Sequence, residues 1–489
     1  MALERHILTI TEPTIKLDPI DIPDQGESET GDKHSIVPAA KTPYIKINGH
    51  VFQPAAVISM RLSSSGKYPE LTCRLRDQMG IFTIDQFPRD GDVLSLRIAV
   101  DFDGTYKDLR MDFNIVEFRG NPTTTIEKRE GEQVFNVRAV AKLPGLYTDE
   151  CKSFGSGTSL DHIIQVAQDL QLGVATNVDA TNDLMVRLCA YQTKLDFLDK
   201  TVQHAYISDD AFLTYSIDPF YYINFVELQK IFNSPNEVEL TDLITSKIFK
   251  ERGEDPDSTK NETALMLTNH QTFSGTANHI IRYNLINEST RVALENGYRR
   301  KIQYFDMTDG LLEFDVESLV SDNIKDNEEA LKGRRNSETD EYNTHIKQKF
   351  VGIQTSNMHG NYMYSAINNI QNLVELDKMR LVVELAAPNP AIYRYMKVPV
   401  AIYNYGEYTK KMADDLAAAK EESGFDDANK KKDSEKTTDH KQTNTQTLDE
   451  FLSGYYIIIG IDYKFDQVAG FSQILHLARR EWPARIDNI

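Results

Sequence analysis

The chain has 489 residues and a formal net charge of -20, from 54 Lys and Arg against 74 Asp and Glu. A hydrophobic fraction of 40% with 9% aromatics belongs to a folded protein, whereas a mean hydropathy of -0.45 points to polar insertions that dilute the folded parts. This length exceeds what one core usually fills and predicts roughly three or four domains. The acidic balance disfavours a general nucleic-acid binder, because affinity for phosphates comes largely from Lys and Arg, and leaves room only for local basic patches.

Residues 1–43 mix isolated apolar residues with Pro13, Pro19 and Pro23 and an acidic run, and are read as an extended N-terminal arm. The first residues lack the basic start, apolar core and small-residue cleavage site of a signal peptide, so folding under cytoplasm-like conditions is expected. No apolar run approaches the roughly 18 residues of a membrane-spanning helix. From Tyr44 the pattern is β. Leu71, Cys73 and Leu75 alternate with polar residues, as do Leu94, Leu96, Ile98 and Val100. Turn chemistry at Pro88–Gly91, Asp101–Gly104 and Arg119–Pro122 separates the runs, and residues 44–148 are predicted to form a small antiparallel β-barrel.

Residues 149–232 predict an α/β module. Leu160, Ile163, Ile164, Ala167 and Leu170 recur at helical spacing after Thr158, with Asp161 completing a capping box and Gly173 as the stop. A second helix opens at Thr193, with Asp196 three residues on and Leu195, Leu198, Val202 and Ala205 on one face. Two strand-like runs joined at Asp218-Pro219 follow. Residues 233–374 form a middle α+β region with charged insertions, and residues 375–489 a second β-barrel with a charged, aromatic-poor insertion at about 410–448. The fold class is thus mixed α+β and β-rich, with two small barrels around an α/β module.

Little in the sequence points to catalysis. The run Gly155–Ser159 is neither a P-loop nor a dinucleotide fingerprint, since no Lys follows the glycines and no strand is expected to feed into it; it reads as a helix cap. Neither HExxH nor GxSxG occurs, no histidines pair at metal-ligand spacing, and Cys73, Cys151 and Cys189 show no CxxC. No catalytic, cofactor-binding or metal residue is nominated, and the chain is expected not to be an enzyme. Arg479, Arg480 and Trp482, which close the last β-hairpin, are the candidate interface residues. Trp and Arg are enriched at interface hot spots, while packing within the chain would explain the same residues by capping their own barrel.

The order of parts carries a resemblance: a β-region, the helix opened by "GSGTSLDHIIQVAQDLQLG", the helix at "TKLDFLDKTVQHAY", the pair "FLTYSIDPFYYINFVEL" and the hairpin "SGYYIIIGIDYKFDQVAGFSQILHLARREWP". This resembles the baseplate central hub proteins of contractile-tailed bacteriophages, relatives of the late control protein D and of the hub part of type VI secretion spikes. The resemblance implies a homotrimer whose chains each contribute two similar barrels, adapting a six-fold tail tube to a three-fold central spike and helping to initiate the tube. It also implies a place in the virion tail baseplate and, as partners, the spike, the tube or its initiators, and other baseplate proteins through the arm and insertions. DNA would pass the ring without specific binding, repelled by its acidic wall. The alternatives are a tail-tip cell-wall hydrolase and a receptor-binding tail protein, the latter fitting Tyr221, Tyr222, Tyr455 and Tyr456.

Overall fold

The computed structural model describes residues 7–18, 20, 43–52, 54–77, 91–98, 108–122, 133–209, 211–235, 264–267, 278–288, 299–306, 310–317, 350–355, 357–376, 379–389, 391–404, 447–449 and 452–479. In chain order the elements are β1 (Leu8–Thr11), β2 (Tyr44–Ile47), β3 (His50–Phe52), β4 (Val57–Ser63), β5 (Glu70–Asp77), β6 (Val93–Ile98), β7 (Leu109–Pro122), β8 (Gln133–Ala141) and β9 (Asp149–Gly157). Then come α1 (Ser159–Asp169), β10 (Gly173–Thr176), β11 (Met185–Thr193), α2 (Lys194–Gln203), β12 (Leu213–Ile217), β13 (Tyr222–Glu227) and α3 (Leu228–Phe232). The remainder comprises β14 (Leu265–Leu267), β15 (Ile280–Asn287), β16 (Arg299–Asp306), β17 (Gly310–Glu317), β18 (Phe350–Gln354), α4 (Tyr362–Leu376), β19 (Met379–Leu385), β20 (Lys397–Asn404), β21 (Thr447–Leu448), β22 (Gly454–Asp466) and β23 (Gly470–Ala478).

The architecture is β-rich α+β, dominated by one sheet of fourteen strands. Seven of these come from residues 44–141 and seven from residues 265–478, and the halves meet where β22 pairs antiparallel with β4. Among the described residues no strand ladder closes either half into a barrel; in the second half β14 reaches the start of β15 only through an isolated bridge between Met266 and His279. Alternation places Leu71, Cys73, Leu75, Leu94, Leu96 and Ile98 inward, and all are buried in one core that runs from the first half through the α/β module into the second.

Several local expectations change in the folded chain. Arg119–Pro122 is not a turn: β7 continues through it, pairing Gly120 with Phe135. The missing side chain of Gly120 leaves room for the Phe135 ring, which stacks on Phe118 with centroids 4.7 Å apart. The other two predicted turns lie outside the described residues apart from Gly91. A turn at Asn48-Gly49, both at positive φ (49° and 85°), splits the first β run into the hairpin β2–β3. Part of the arm is packed: β1 pairs with β10, Ile7 and Ile20 are buried, and Arg110 donates to the Asp18 carbonyl at 2.8 Å. Most of the insertion at about 410–448 lies outside the described residues.

The α/β module has β10 parallel to β13 in a four-stranded sheet, β1-β10-β13-β12, with α1 and α2 beside it and β9 and β11 as a separate two-stranded ribbon. Both helix starts form as the sequence predicts: the Thr158 side chain accepts from Asp161 N while Asp161 accepts from Thr158 N, and the Thr193 side chain accepts from Asp196 N. The stop of α1 differs. Its chain reverses at Gln171, at φ 60°, and Gly173 instead begins β10, where a Cβ would lie 2.6 Å from the Tyr222 ring and 2.7 Å from the Thr11 carbonyl. α4 packs against α2 and β12 on one side and against the three-stranded sheet β17-β16-β18 on the other.

Candidate functional site

Two buried polar clusters tie segments that are remote in sequence. The first lies at the seam between the halves of the large sheet. Register puts Asp462 of β22 directly opposite Ser63 of β4 and Ile474 of β23, so Arg61 and His476 are its diagonal neighbours on the same face. The carboxylate is fully buried and accepts from Arg61 Nη2 at 2.7 Å, Ser63 Oγ at 2.7 Å, Ser65 Oγ at 2.9 Å and His476 Nε2 at 3.1 Å. Burial by itself would raise its pKa, but the hydrogen bonds from His476, Ser63 and Arg61 outweigh that and hold the group well below the usual carboxylate range.

Backbone contacts complete the seam. Ser64 N donates to the Ile461 carbonyl at 2.8 Å, and the Arg394 guanidinium donates to the carbonyls of Ser64, Ser65 and Gly66. A bulge between Ile458 and Gly460 brings the chain so close to Ser65 that a Cβ on Gly460 would lie 2.9 Å from Ser65 Cα.

The second cluster begins where β9 runs directly into α1, so a strand does feed the Gly155–Ser159 run, contrary to the sequence expectation. Its polar, glycine-rich residues hide the strand until β11 is seen paired beside it. The Asp183 carboxylate occupies the α1 N-terminus, accepting from Ser159 N at 3.0 Å and also from Ser159 Oγ. Arg187 donates to Ser159 Oγ at 2.7 Å and lies 3.4 Å from Asp183, both side chains being buried. Burial pulls the Arg187 guanidinium below its ordinary value, partly offset by the Asp183 charge.

Beyond Arg187, the carbonyls at the end of α2 are covered by residues of α4 and the segment before it. Asn369 Nδ2 donates to the carbonyls of Val202 (3.3 Å), Gln203 (3.1 Å) and Ala205 (3.0 Å), while Leu213 N donates to Asn369 Oδ1 at 3.2 Å. Ser365 Oγ and His359 Nε2 both donate to the His204 carbonyl, at 3.1 and 2.9 Å. His204 Nδ1 returns a bond to the Tyr362 carbonyl at 2.8 Å and stacks on the Tyr362 ring, centroids 3.7 Å apart. Together with Ala205 N, which donates to the Val202 carbonyl at 3.2 Å, these side chains satisfy the carbonyls at the helix end.

Of the candidate interface residues, Arg479 turns inward: Nη1 donates to the Ser453 carbonyl at 3.2 Å and the guanidinium lies 5.7 Å from the Tyr456 ring centroid. It also fills the space that a side chain at Gly454 would need, 2.8 Å from that Cβ. Arg480 and Trp482 lie outside the described residues. Among the described residues, no group of three or more His, Cys, Asp or Glu could hold a metal ion, and no helix is long and apolar enough to cross a membrane.

Sequence reasoning missed both clusters. The available signals were an Asp inside the largely apolar run of Ile457 to Phe465, the serine run Ser63–Ser65, and the pair Asn368-Asn369 between the apolar residues Ile367 and Ile370.

No protein-family model matches the sequence, and no curated protein matches it. Solved structures with similar chains include a tail protein from Neisseria meningitidis MC58, at 9% identity and a TM-score of 0.45, covering 90% of this chain and 97% of that one. A 43 kDa tail protein of prophage MuSo2 from Shewanella oneidensis has 11% identity and a TM-score of 0.47, covering 90% and 98%. An E. coli component of the type VI secretion system has 8% identity and a TM-score of 0.40, covering 90% and 78%.

Proposed function

We propose that this chain is a non-enzymatic structural hub of a contractile phage-like tail, a trimer that joins a six-fold tail tube to a three-fold spike and helps to start the tube. One observation carries the reading: seven strands from each end of the chain form a single sheet, locked at its seam by a buried, fully bonded carboxylate. Three copies of a chain built from two β-regions present six such regions to one side while keeping a true three-fold axis on the other. Closure of each region into a barrel belongs to this reading, as do the spike, tube and baseplate partners and passage of DNA along an acidic wall.

The surface of the α/β module supports an assembled state. One face of the β9–β11 ribbon turns Phe154, Arg187 and Cys189 inward; on the other Val186 and Leu188 are exposed, with Leu184 just before the strand and Leu188 at 64%, and Tyr191, at the irregularity between Ala190 and Gln192, is 86% exposed. Uncharged apolar side chains gathered on one exposed face favour burial against another protein.

The test is the mass of the purified protein by light scattering, alone and mixed with the spike protein encoded beside it. Three chains of 55.7 kDa, alone or on mixing, are expected. Leu188→Asp should lower the trimer fraction and leave the monomer folded. A monomer under both conditions, without spike binding, would overturn the hub reading, and cleared peptidoglycan in a zymogram would replace it with the hydrolase.

A further inference from the structure

We propose that the joint between α4 and the α/β module is an acid-released latch: protonation of His359 and His204 unseats residues 359–376 from the end of α2 while the fourteen-strand sheet stays assembled. The geometry favours neutral imidazoles. Each ring already donates one N–H to a main-chain carbonyl, His359 Nε2 to His204 and His204 Nδ1 to Tyr362. The other nitrogen of His359, Nδ1, is buried and among the described residues has no hydrogen-bond partner, so a proton there creates a cation that none of them accepts from.

The groups around the pair do not favour a cation. Arg187 of β11 faces both rings, and Lys200 on α2 adds a second positive charge near His204. Among the described residues, Asp183 is the carboxylate that attracts a proton to His359, and its oxygens are committed to Ser159, Arg187 and Tyr206 N. On the remaining sides lie the rings of Tyr362 and Tyr206, the latter bonded to Asp209 and set edge-on to Tyr364. Burial, with Arg187, His359 and Lys200, lowers the pKa of His204 to about 4 despite its bond to Tyr362; burial likewise lowers that of His359.

The sign follows from linkage. Free histidines bind protons below about 6.5, and the docked ones bind them only at lower pH. The undocked state therefore takes up more protons as pH falls from about 6.5 toward 4, and the joint weakens across that window. Because α4 also packs on β16, β17 and β18, the released unit would be the helix together with its three-stranded sheet.

Hydrogen exchange of the full chain, followed by mass spectrometry at about pH 7 and about pH 5 with labelling times scaled for intrinsic rates, tests this. Protection in residues 200–209 and 359–376 should fall at least about tenfold at the lower pH, the factor set by one unit of pKa displacement. The hairpin at residues 457–478 should keep its protection. His204→Asn with His359→Gln preserves both donors but removes the titration, and should abolish the loss; either single variant should reduce it. His162→Gln, altering a buried histidine of α1 outside the joint, should leave it in place. Unchanged protection in the wild type, an equal loss throughout the sheet, or a full loss in the single and double variants would overturn the latch. If the double variant does not fold, the wild-type comparison and the two single variants still decide.

Discussion

The seam at Asp462 and the joint at Asn369 solve the same problem with opposite chemistry. Each binds segments far apart in the chain, yet the seam uses a buried charge with four donors, whereas the joint uses neutral groups laid on helix-end carbonyls. Hydrogen bonds to an ionised group are roughly twice as strong as neutral ones, so the seam is the harder to break. The two also meet acid differently. Asp462 keeps its charge when folded to below the pH at which a free carboxylate, near 3.9, gains a proton; its contribution is complete above that value and lost only as pH falls through its own lower one. Mild acid should separate them.

Removing the acceptor tests the seam most severely. Asp462→Ala leaves Ser63, Ser65 and His476 without their common partner and should cost about 3 kcal/mol, reduced from the full cost of a broken buried pair because Arg61 is half exposed. Urea unfolding at neutral pH reads this directly. The corresponding change in the joint, Asn369→Ala, takes one donor from three carbonyls, of which that of Val202 keeps Ala205 N, and the acceptor from one backbone N–H, and should cost about 2 kcal/mol. Its loss of exchange protection should remain in α2 and α4, whereas the seam variant should loosen β4 and β22 together. If Asn369→Ala proves as damaging as Asp462→Ala, charge is not what distinguishes the two.

How much of this was readable in advance depended on distance along the chain. Thr158 with Asp161, and Thr193 with Asp196, are contacts over three residues, and both caps form as read. Strand alternation was equally local, and Leu71, Cys73, Leu75, Leu94, Leu96 and Ile98 all point inward as read, Val100 lying outside the described residues. β9 was hidden because Ser153, Gly155, Ser156 and Gly157 carry no apolar phase; its identity comes from β11, about thirty residues later. The seam was hidden more deeply. Asp462 meets Arg61 across 401 residues, and nothing near either residue names the other. Arg479 could be noticed but not aimed: only the folded hairpin brings it against Ser453 and Tyr456.

Crowding sharpens the contrast further. Gly460→Ala places a methyl group 2.9 Å from Ser65 Cα and 2.6 Å from its Oγ, so the β4–β5 loop must move away from Asp462. Overpacking of this kind should cost about 1.5 kcal/mol. Pairing it with Ser65→Ala in a double-mutant cycle should recover only the part due to the hydroxyl, since the contacts with Ser65 Cβ at 2.8 Å and with its Cα remain.

The smallest effects give the most controlled comparison, because one hydroxyl can be removed from each place. Ser65 Oγ donates to an ionised carboxylate at 2.9 Å, and Ser365 Oγ to the neutral carbonyls of His204 and Tyr362, both at 3.1 Å. Ser65→Ala should therefore cost about 1 kcal/mol and Ser365→Ala about half that, since each acceptor keeps other donors. The two costs should also respond differently to pH. The cost of Ser65→Ala is constant from neutrality to about pH 5, because Asp462 remains charged throughout. That of Ser365→Ala should shrink over the same interval as the joint opens, a donor having nothing to contribute to a contact already lost. Equal costs that stay equal on acidification would mean that both clusters behave as ordinary buried hydrogen bonds, and that the charge at Asp462 serves specificity of pairing rather than strength.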